Sequence, residues 1–195
     1  MESFIYLASQ SPRRRELLER IGIGFELVDA PVEEIPGEGE LPEVFVLRMA
    51  LEKARAGYRG LGERPSAPVL GADTIVVLDG EIMGKPRDEA DALTMLERLS
   101  GQTHRVLTGV ALADDREATR LSVSQVTMRP LTDEERRLYC ATGEPRDKAG
   151  AYAIQGRGGV FIEHLDGSYS GVMGLPLFET TLLLDDFAIP WRQGW

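Results

Sequence analysis

The chain has 195 residues and a 43% apolar fraction, enough for one domain that buries roughly 70% of its unfolded surface without a staple. Its net charge of −10 excludes a general DNA or RNA binder, which needs a basic face; a phosphate ligand would have to be attracted by local arginines and lysines or by a divalent cation. Cys140 is the only cysteine, so no internal disulfide forms and a reducing cytoplasm is the expected setting. No apolar run approaches ~20 residues, so no membrane helix is expected, and Met1-Glu2-Ser3-Phe4 lacks the basic flank of a signal peptide.

Phe4-Ile5-Tyr6-Leu7-Ala8 predicts a first strand. Ser11 suits an N-cap and Pro12 a first helical position, for a helix that passes Leu17, Leu18 and Ile21 and ends at Gly22. Arg13, Arg14 and Arg15 oppose the helix dipole there, by ~0.3–1 kcal/mol each when exposed. They point to an anion held by backbone amides and guanidinium forks, with a solvated basic turn as the alternative. Residues 25–30 predict a second strand, followed by an acidic loop over 31–42. Glu38 and Glu40 read as solvated loop charge, whereas Glu33 or Glu34, directly after the strand, could face a bound metal. The spacing of Val44, Leu47, Leu51 and Ala54 predicts a helix over 43–58, and Lys53 near its end suits the dipole.

The stretch from Leu70 to Pro86 carries the central oddity. Residues 75–78 read as a buried strand, and Asp79-Gly80 is the pair that a two-residue hairpin turn prefers. Residues 81–85 then return antiparallel. With Leu78 opposite Glu81, Thr74 falls opposite Lys85 and Asp73 opposite Pro86. A carboxylate at the mouth of such a strand costs on the order of several kcal/mol to desolvate unless a cation, a metal ion or water compensates. The bland alternative is an edge carboxylate capping a loop, with Lys85 solvated.

Ala90, Leu93, Leu96 and Leu99 mark a further helix closed by Gly101, and residues 106–113 and 118–128 predict strands around Asp114-Asp115. Thr132 with Glu135 spells a capping box for a short helix ending near Gly143. Gly156 and Gly158 invite a dinucleotide reading, but Phe161 stands where the third glycine belongs. Residues 160–165 and a segment from Ser168 flank Asp166-Gly167, a second hairpin signal; a last helix over 177–185 turns Phe178, Thr181 and Leu182 inward, and the tail to Trp195 is loosely held. His104 and His164 lack metal-ligand spacing and read as ordinary strand residues. Cys140 has no histidine nearby in sequence to make it a nucleophile.

The stretches Leu7-Ala8-Ser9-Gln10-Ser11-Pro12-Arg13-Arg14-Arg15-Glu16-Leu17-Leu18, Gly71-Ala72-Asp73-Thr74-Ile75-Val76, Gly84-Lys85-Pro86, Leu99-Ser100-Gly101-Gln102-Thr103-His104, Asp147-Lys148-Ala149-Gly150-Ala151-Tyr152 and Gly174-Leu175-Pro176-Leu177 resemble the Maf family. The motifs come in family order and cover nearly the whole chain. The resemblance implies nucleoside triphosphate pyrophosphatases, once named for septum-formation inhibition. It implies an α/β fold of the inosine-triphosphatase type: a long twisted mixed sheet with helices on both sides, and two lobes around a central cleft in one domain spanning 1–195.

By position, the resemblance makes Asp73 the proton acceptor. It makes Arg13, Thr74 and Gln155 the residues that sort substrates, in the combination of the dTTP/UTP branch; the 7-methyl-GTP branch tends to carry Trp, Gln and Glu there. Ser9, Arg14, Lys53 and Lys85 match phosphate-holding positions, and Gly171 departs from the asparagine of many members. The expected reaction is hydrolysis of dTTP and UTP, and of modified pyrimidine nucleotides, to the monophosphate and pyrophosphate. A divalent cation, Mg²⁺ or Mn²⁺, is expected at Asp73 and one of Glu33 and Glu34. The resemblance is compatible with a homodimer. A non-catalytic nucleotide-binding regulator of cell division and an inosine/xanthosine triphosphatase are the alternatives.

Overall fold

The apolar runs at the start of the chain and around Asp73 become neighbouring strands in a computed structural model, which describes residues 4–192. β1 (Phe4–Ala8) pairs in parallel with β2 (Gly24–Leu27) and with β3 (Val69–Leu78). β3 is ten residues long and buried at every position but Thr74, so its sequence reads as a continuous apolar run rather than an alternation. β5 (Thr103–Ala113), β6 (Glu117–Met128) and β7 (Ile162–Asp166) extend the sheet in the order β2-β1-β3-β5-β6-β7, and β4 (Glu81–Met83) pairs β3 off this path. β3–β4 and β6–β7 are antiparallel, so the seven-stranded sheet is mixed and, with its helices, has the expected α/β class.

The helices are α1 (Pro12–Arg20), α2 (Pro42–Arg59), α3 (Glu89–Leu99), α4 (Asp133–Ala141), α5 (Tyr169–Met173) and α6 (Leu177–Asp186). Local signals place several of their ends. Asp88 caps α3 by accepting the Asp91 N–H, and Thr132 with Glu135 forms the reciprocal capping box of α4.

The chain divides into two compact units. The first holds the chain up to Asp73, Thr108–Ser122 and the chain from Gly174; the second holds Thr74–Leu107 and Val123–Met173. In the first, α2 lies directly on the strands. A Cβ at Gly71 would stand 2.2 Å from the Ala50 carbonyl oxygen, and one at Gly109 would stand 2.5 Å from that of Val46. Only glycine permits that approach. The alanines Ala50, Ala54, Ala111 and Ala113 fill the same seam. In the second unit, Leu96, Leu99, Val106, Met128, Tyr139 and Phe161 anchor a separate apolar cluster.

Four expectations need correction. The central hairpin has the expected register, with Leu78 opposite Glu81, and Asp79 and Gly80 take φ of 52° and 84°. Its return arm, however, stops at Met83, so the predicted facings of Thr74 with Lys85 and of Asp73 with Pro86 are not part of the ladder. The Gly84 carbonyl instead accepts the Gly150 N–H at 3.1 Å, which draws the arm toward the 149–151 turn. After Asp166-Gly167 comes α5 rather than a strand, because Ser168 Oγ accepts the Gly171 N–H at 2.9 Å and starts a helical turn. α6 turns Thr180, Leu183 and Leu184 inward and leaves Phe178 and Leu182 exposed, 70% and 37%. The chain past α6 is tied back rather than loose: Asp185 accepts from Trp191 Nε1 at 2.8 Å and from both Arg192 Nη atoms at 3.0 Å. Residues 193–195, the end of the expected loose tail, lie outside the described residues.

Candidate active site

Six of the expected residues, Ser9, Arg13, Arg14, Glu34, Lys53 and Asp73, meet in the first unit. β1 ends at Ala8, and Ser9 follows on the way into α1. Ser9 Oγ accepts the Ser11 N–H at 3.2 Å and a proton of Arg14 Nη1 at 3.1 Å. Ser11 stands at the N-cap, but its hydroxyl makes no cap bond. Arg14 Nε donates to the Gly174 carbonyl at 2.7 Å, so this half-buried guanidinium is fixed from two sides. Arg15 departs from the expected trio. It turns to the carbonyl and side chain of Gln10.

Lys53 and Asp73 are the buried pair of this unit, 9% and 7% exposed. Lys53 Nζ donates to Asp73 Oδ1 at 2.7 Å and to Glu34 Oε1 at 2.5 Å. Lys53 reaches Asp73 because α2 touches β3 at Gly71, two residues earlier in the strand. The compensation that Asp73 requires is therefore an ammonium from α2. Glu34 is the member of the Glu33/Glu34 pair that joins the cluster; Glu33 is exposed. The loop carrying Glu34 is also held by α2. Arg48 grips Glu40 at 2.6 and 2.7 Å and donates to the Ile35 carbonyl at 3.1 Å. Glu40 is thus not the solvated charge expected of it: the Arg48 hydrogen bond, with the Gly37 amide, lowers its carboxyl to about 2.

Burial pushes the Arg14 guanidinium below its ordinary value, Asp73 and Glu34 push it back up, and Arg13 pushes it down. Arg13, Glu34 and Asp73 are therefore each within electrostatic reach of Arg14.

Three expected residues belong to the second unit. Thr74 follows Asp73 in β3, half-buried, and by strand alternation its side chain takes the other face. Lys85 is exposed in the segment after β4. Gln155 is exposed in a turn closed by the Gly156 N–H on the Ala153 carbonyl at 3.1 Å. The parallel ladder of β3 with β1 ends at Gly71 and its ladder with β4 begins at Val76, so residues 72–75, Asp73 and Thr74 among them, pair with neither strand. The remaining titratable candidates do not offer a rival centre. Burial raises the Cys140 thiol, which disfavours a thiolate. His164 is an exposed strand residue, whereas His104, 2% exposed, pairs its Nε2 with the Tyr152 hydroxyl at 2.8 Å.

Residues 4–187 match the family described as Maf-like protein. The chain belongs to the Maf family. A dTTP/UTP pyrophosphatase of Alkalilimnicola ehrlichii is 66% identical over 194 residues, 98% of this chain and 96% of that protein. One of Escherichia coli O157:H7 is 53% identical over 184 residues, 94% and 92% of the two chains. Among solved structures, a HAM1 protein from Coxiella burnetii aligns with a TM-score of 0.53 over 94% of this chain and 99% of its own, at 18% identity, a likeness of fold alone.

In this Maf-family chain the donor set can be weighed against a divalent cation. Among the described residues no group of three His, Cys, Asp or Glu side chains could hold a metal by itself. Mg²⁺ commonly needs only one or two carboxylates, with phosphates and water completing its shell. Asp73 and Glu34, whose oxygens already share one ammonium, fit that pattern. A zinc-type site of histidines and thiolates does not fit.

Proposed function

We propose that this Maf-family chain hydrolyses dTTP and UTP to the nucleoside monophosphate and pyrophosphate. One structural observation carries the reading: a buried carboxylate, Asp73, rests on the Lys53 ammonium beside Glu34, with Arg14 in electrostatic reach. The names of relatives 53% and 66% identical over nearly the full chain support the substrates.

Water is a poor nucleophile at neutral pH, so the reaction needs a base. Asp73 takes a proton from a water molecule, whose oxygen attacks the α-phosphorus. The bond from that phosphorus to the bridging oxygen breaks, and pyrophosphate leaves with the electron pair. Lys53 fixes the carboxylate for this step. Ser9, Arg13 and Arg14 offset the charge that grows on the phosphoryl oxygens and the leaving group, and Lys85 matches a further phosphate-holding position of the family. Asp73 and Glu34 would hold the divalent cation, which supplies further charge neutralisation on the phosphates when bound.

By family position, Thr74 and Gln155 are the residues that sort the base. The Gln155 amide can accept from N3–H and donate to O4 of uracil, an edge that thymine shares. A flipped amide also fits cytosine, so rejection of CTP needs a further contact.

The test is a panel of dTTP, UTP, CTP, ATP, GTP and ITP with Mg²⁺ or Mn²⁺ and detection of pyrophosphate. Highest activity on dTTP and UTP, lost with chelator, is expected; a preference for ITP overturns the substrate assignment. Asp73→Asn is expected to lower turnover by ~10²-fold or more while nucleotide binding persists. Wild-type turnover in that variant ends the general-base role.

A further inference from the structure

Gly156 and Gly158 are not a dinucleotide fingerprint, yet each leaves room for a side chain that reaches their turn. A Cβ at Gly156 would stand 2.5 Å from Glu144 Oε2, and one at Gly158 would stand 2.6 Å from the Tyr139 hydroxyl. The space is taken by a carboxylate at Gly156 and by a phenol at Gly158. Glu144 Oε1 accepts the Gly158 N–H at 3.0 Å, and Oε2 accepts the Arg157 N–H at 3.1 Å. The Tyr139 hydroxyl donates to Glu144 Oε1 at 2.7 Å, and its oxygen accepts the Ala153 N–H at 3.1 Å. Three backbone amides, one before Gln155 and two after it, thus end on a single phenol–carboxylate pair. The pair is itself anchored: Tyr139 is 4% exposed in α4, with its ring edge-on to Phe161 at 5.1 Å.

We propose that Tyr139 and Glu144 are positioning residues for base recognition, clamping the turn that presents the Gln155 amide. The proposal rests on the reading that Gln155 meets the pyrimidine. Residues 152–156 belong to no helix or strand, and Gln155 is exposed at the corner of their turn. Its amide is therefore no better placed than the main chain beneath it. Two hydrogen bonds to a base edge need placement within about 0.5 Å. A charged acceptor with three donors sets the direction of the turn as well as its position.

Glu144→Gln swaps an accepting oxygen for an NH₂ that opposes one of those donors. Tyr139→Phe removes the hydroxyl alone. Each is expected to lower the ratio of kcat/KM for UTP over ATP about three- to tenfold, mainly through the KM for UTP, with ATP little changed. In a Gln155→Ala background neither substitution should lower the ratio further, because the clamp acts through that side chain. Amide exchange at Ala153, Arg157 and Gly158 should accelerate in both variants.

A wild-type ratio in Glu144→Gln and Tyr139→Phe, with Gln155→Ala lowering it, overturns the clamp and leaves base reading intact. Equal losses on UTP and ATP, or full additivity with Gln155→Ala, also overturn it, since a purely structural role behaves so. A wild-type ratio in Gln155→Ala overturns base reading itself, and the clamp falls with it. Should Glu144→Gln fail to fold, Tyr139→Phe decides, since it deletes a single oxygen.

Discussion

Lys53 touches two carboxylates at 2.5 and 2.7 Å while about a tenth of its own surface is exposed. Lys53→Met would leave Asp73 buried against an uncharged chain. Breaking a buried pair from one side typically costs about 3–5 kcal/mol, so a lower urea midpoint is expected alongside lost turnover. An unchanged midpoint would show that Asp73 does not depend on the ammonium. The oddity of Asp73 was legible in the sequence, because a carboxylate in an apolar run demands a partner. The identity of that partner was not. Lys53 lies twenty residues away, in a helix whose own dipole accounts for a late lysine. Nor does chain order tell Glu34 from Glu33; only the path of the loop, gripped by Arg48, decides between them.

Elements were legible where chemistry is local. The Asp79-Gly80 turn, the Thr132–Glu135 box and the Pro12 start follow from neighbouring residues alone. The inner face of α6 was not, because Leu177-Phe178 and Leu182-Leu183-Leu184 put apolar side chains all round the helix. The face that is buried contains Thr180, 0% exposed, whose hydroxyl has no hydrogen-bond partner among the described residues. An unsatisfied buried hydroxyl costs about 1–3 kcal/mol, so Thr180→Val is expected to raise stability by about 1 kcal/mol in urea unfolding. Destabilisation instead would mean that the hydroxyl bonds to water in solution. The clamp around Gln155 was illegible for a related reason: Tyr139 and Glu144 lie in and just after α4, and nothing in their spacing announces a bond to amides at 153, 157 and 158.

At the scale of the whole molecule, pH should act in two stages. Burial lowers His104 to about 4, against about 6.5 for an unfolded histidine. Between those values the unfolded chain binds more protons, so stability falls as pH is lowered from about 6.5 to 4. The loss from this one group is on the order of 3 kcal/mol. Carboxylates held below their ordinary range, Glu40 and Glu135 to about 2 by Arg48 and Arg129, lose their contribution only at lower pH. Unfolding measured across pH 7 to 4 should therefore slope in the parent and flatten in His104→Gln. Identical slopes would show that His104 is reached by solvent.

The bare main-chain contact at Gly71 and Gly109 has a lasting consequence. With no side chain as a cushion, α2 can neither slide nor roll over β3 and β5 without atoms colliding. The Lys53 ammonium on its inner face is thereby held at a fixed reach from Asp73. Enlarging either glycine by a single methyl would push α2 off the strands and shift the Lys53 ammonium relative to Asp73, leaving every polar group of the cluster chemically intact.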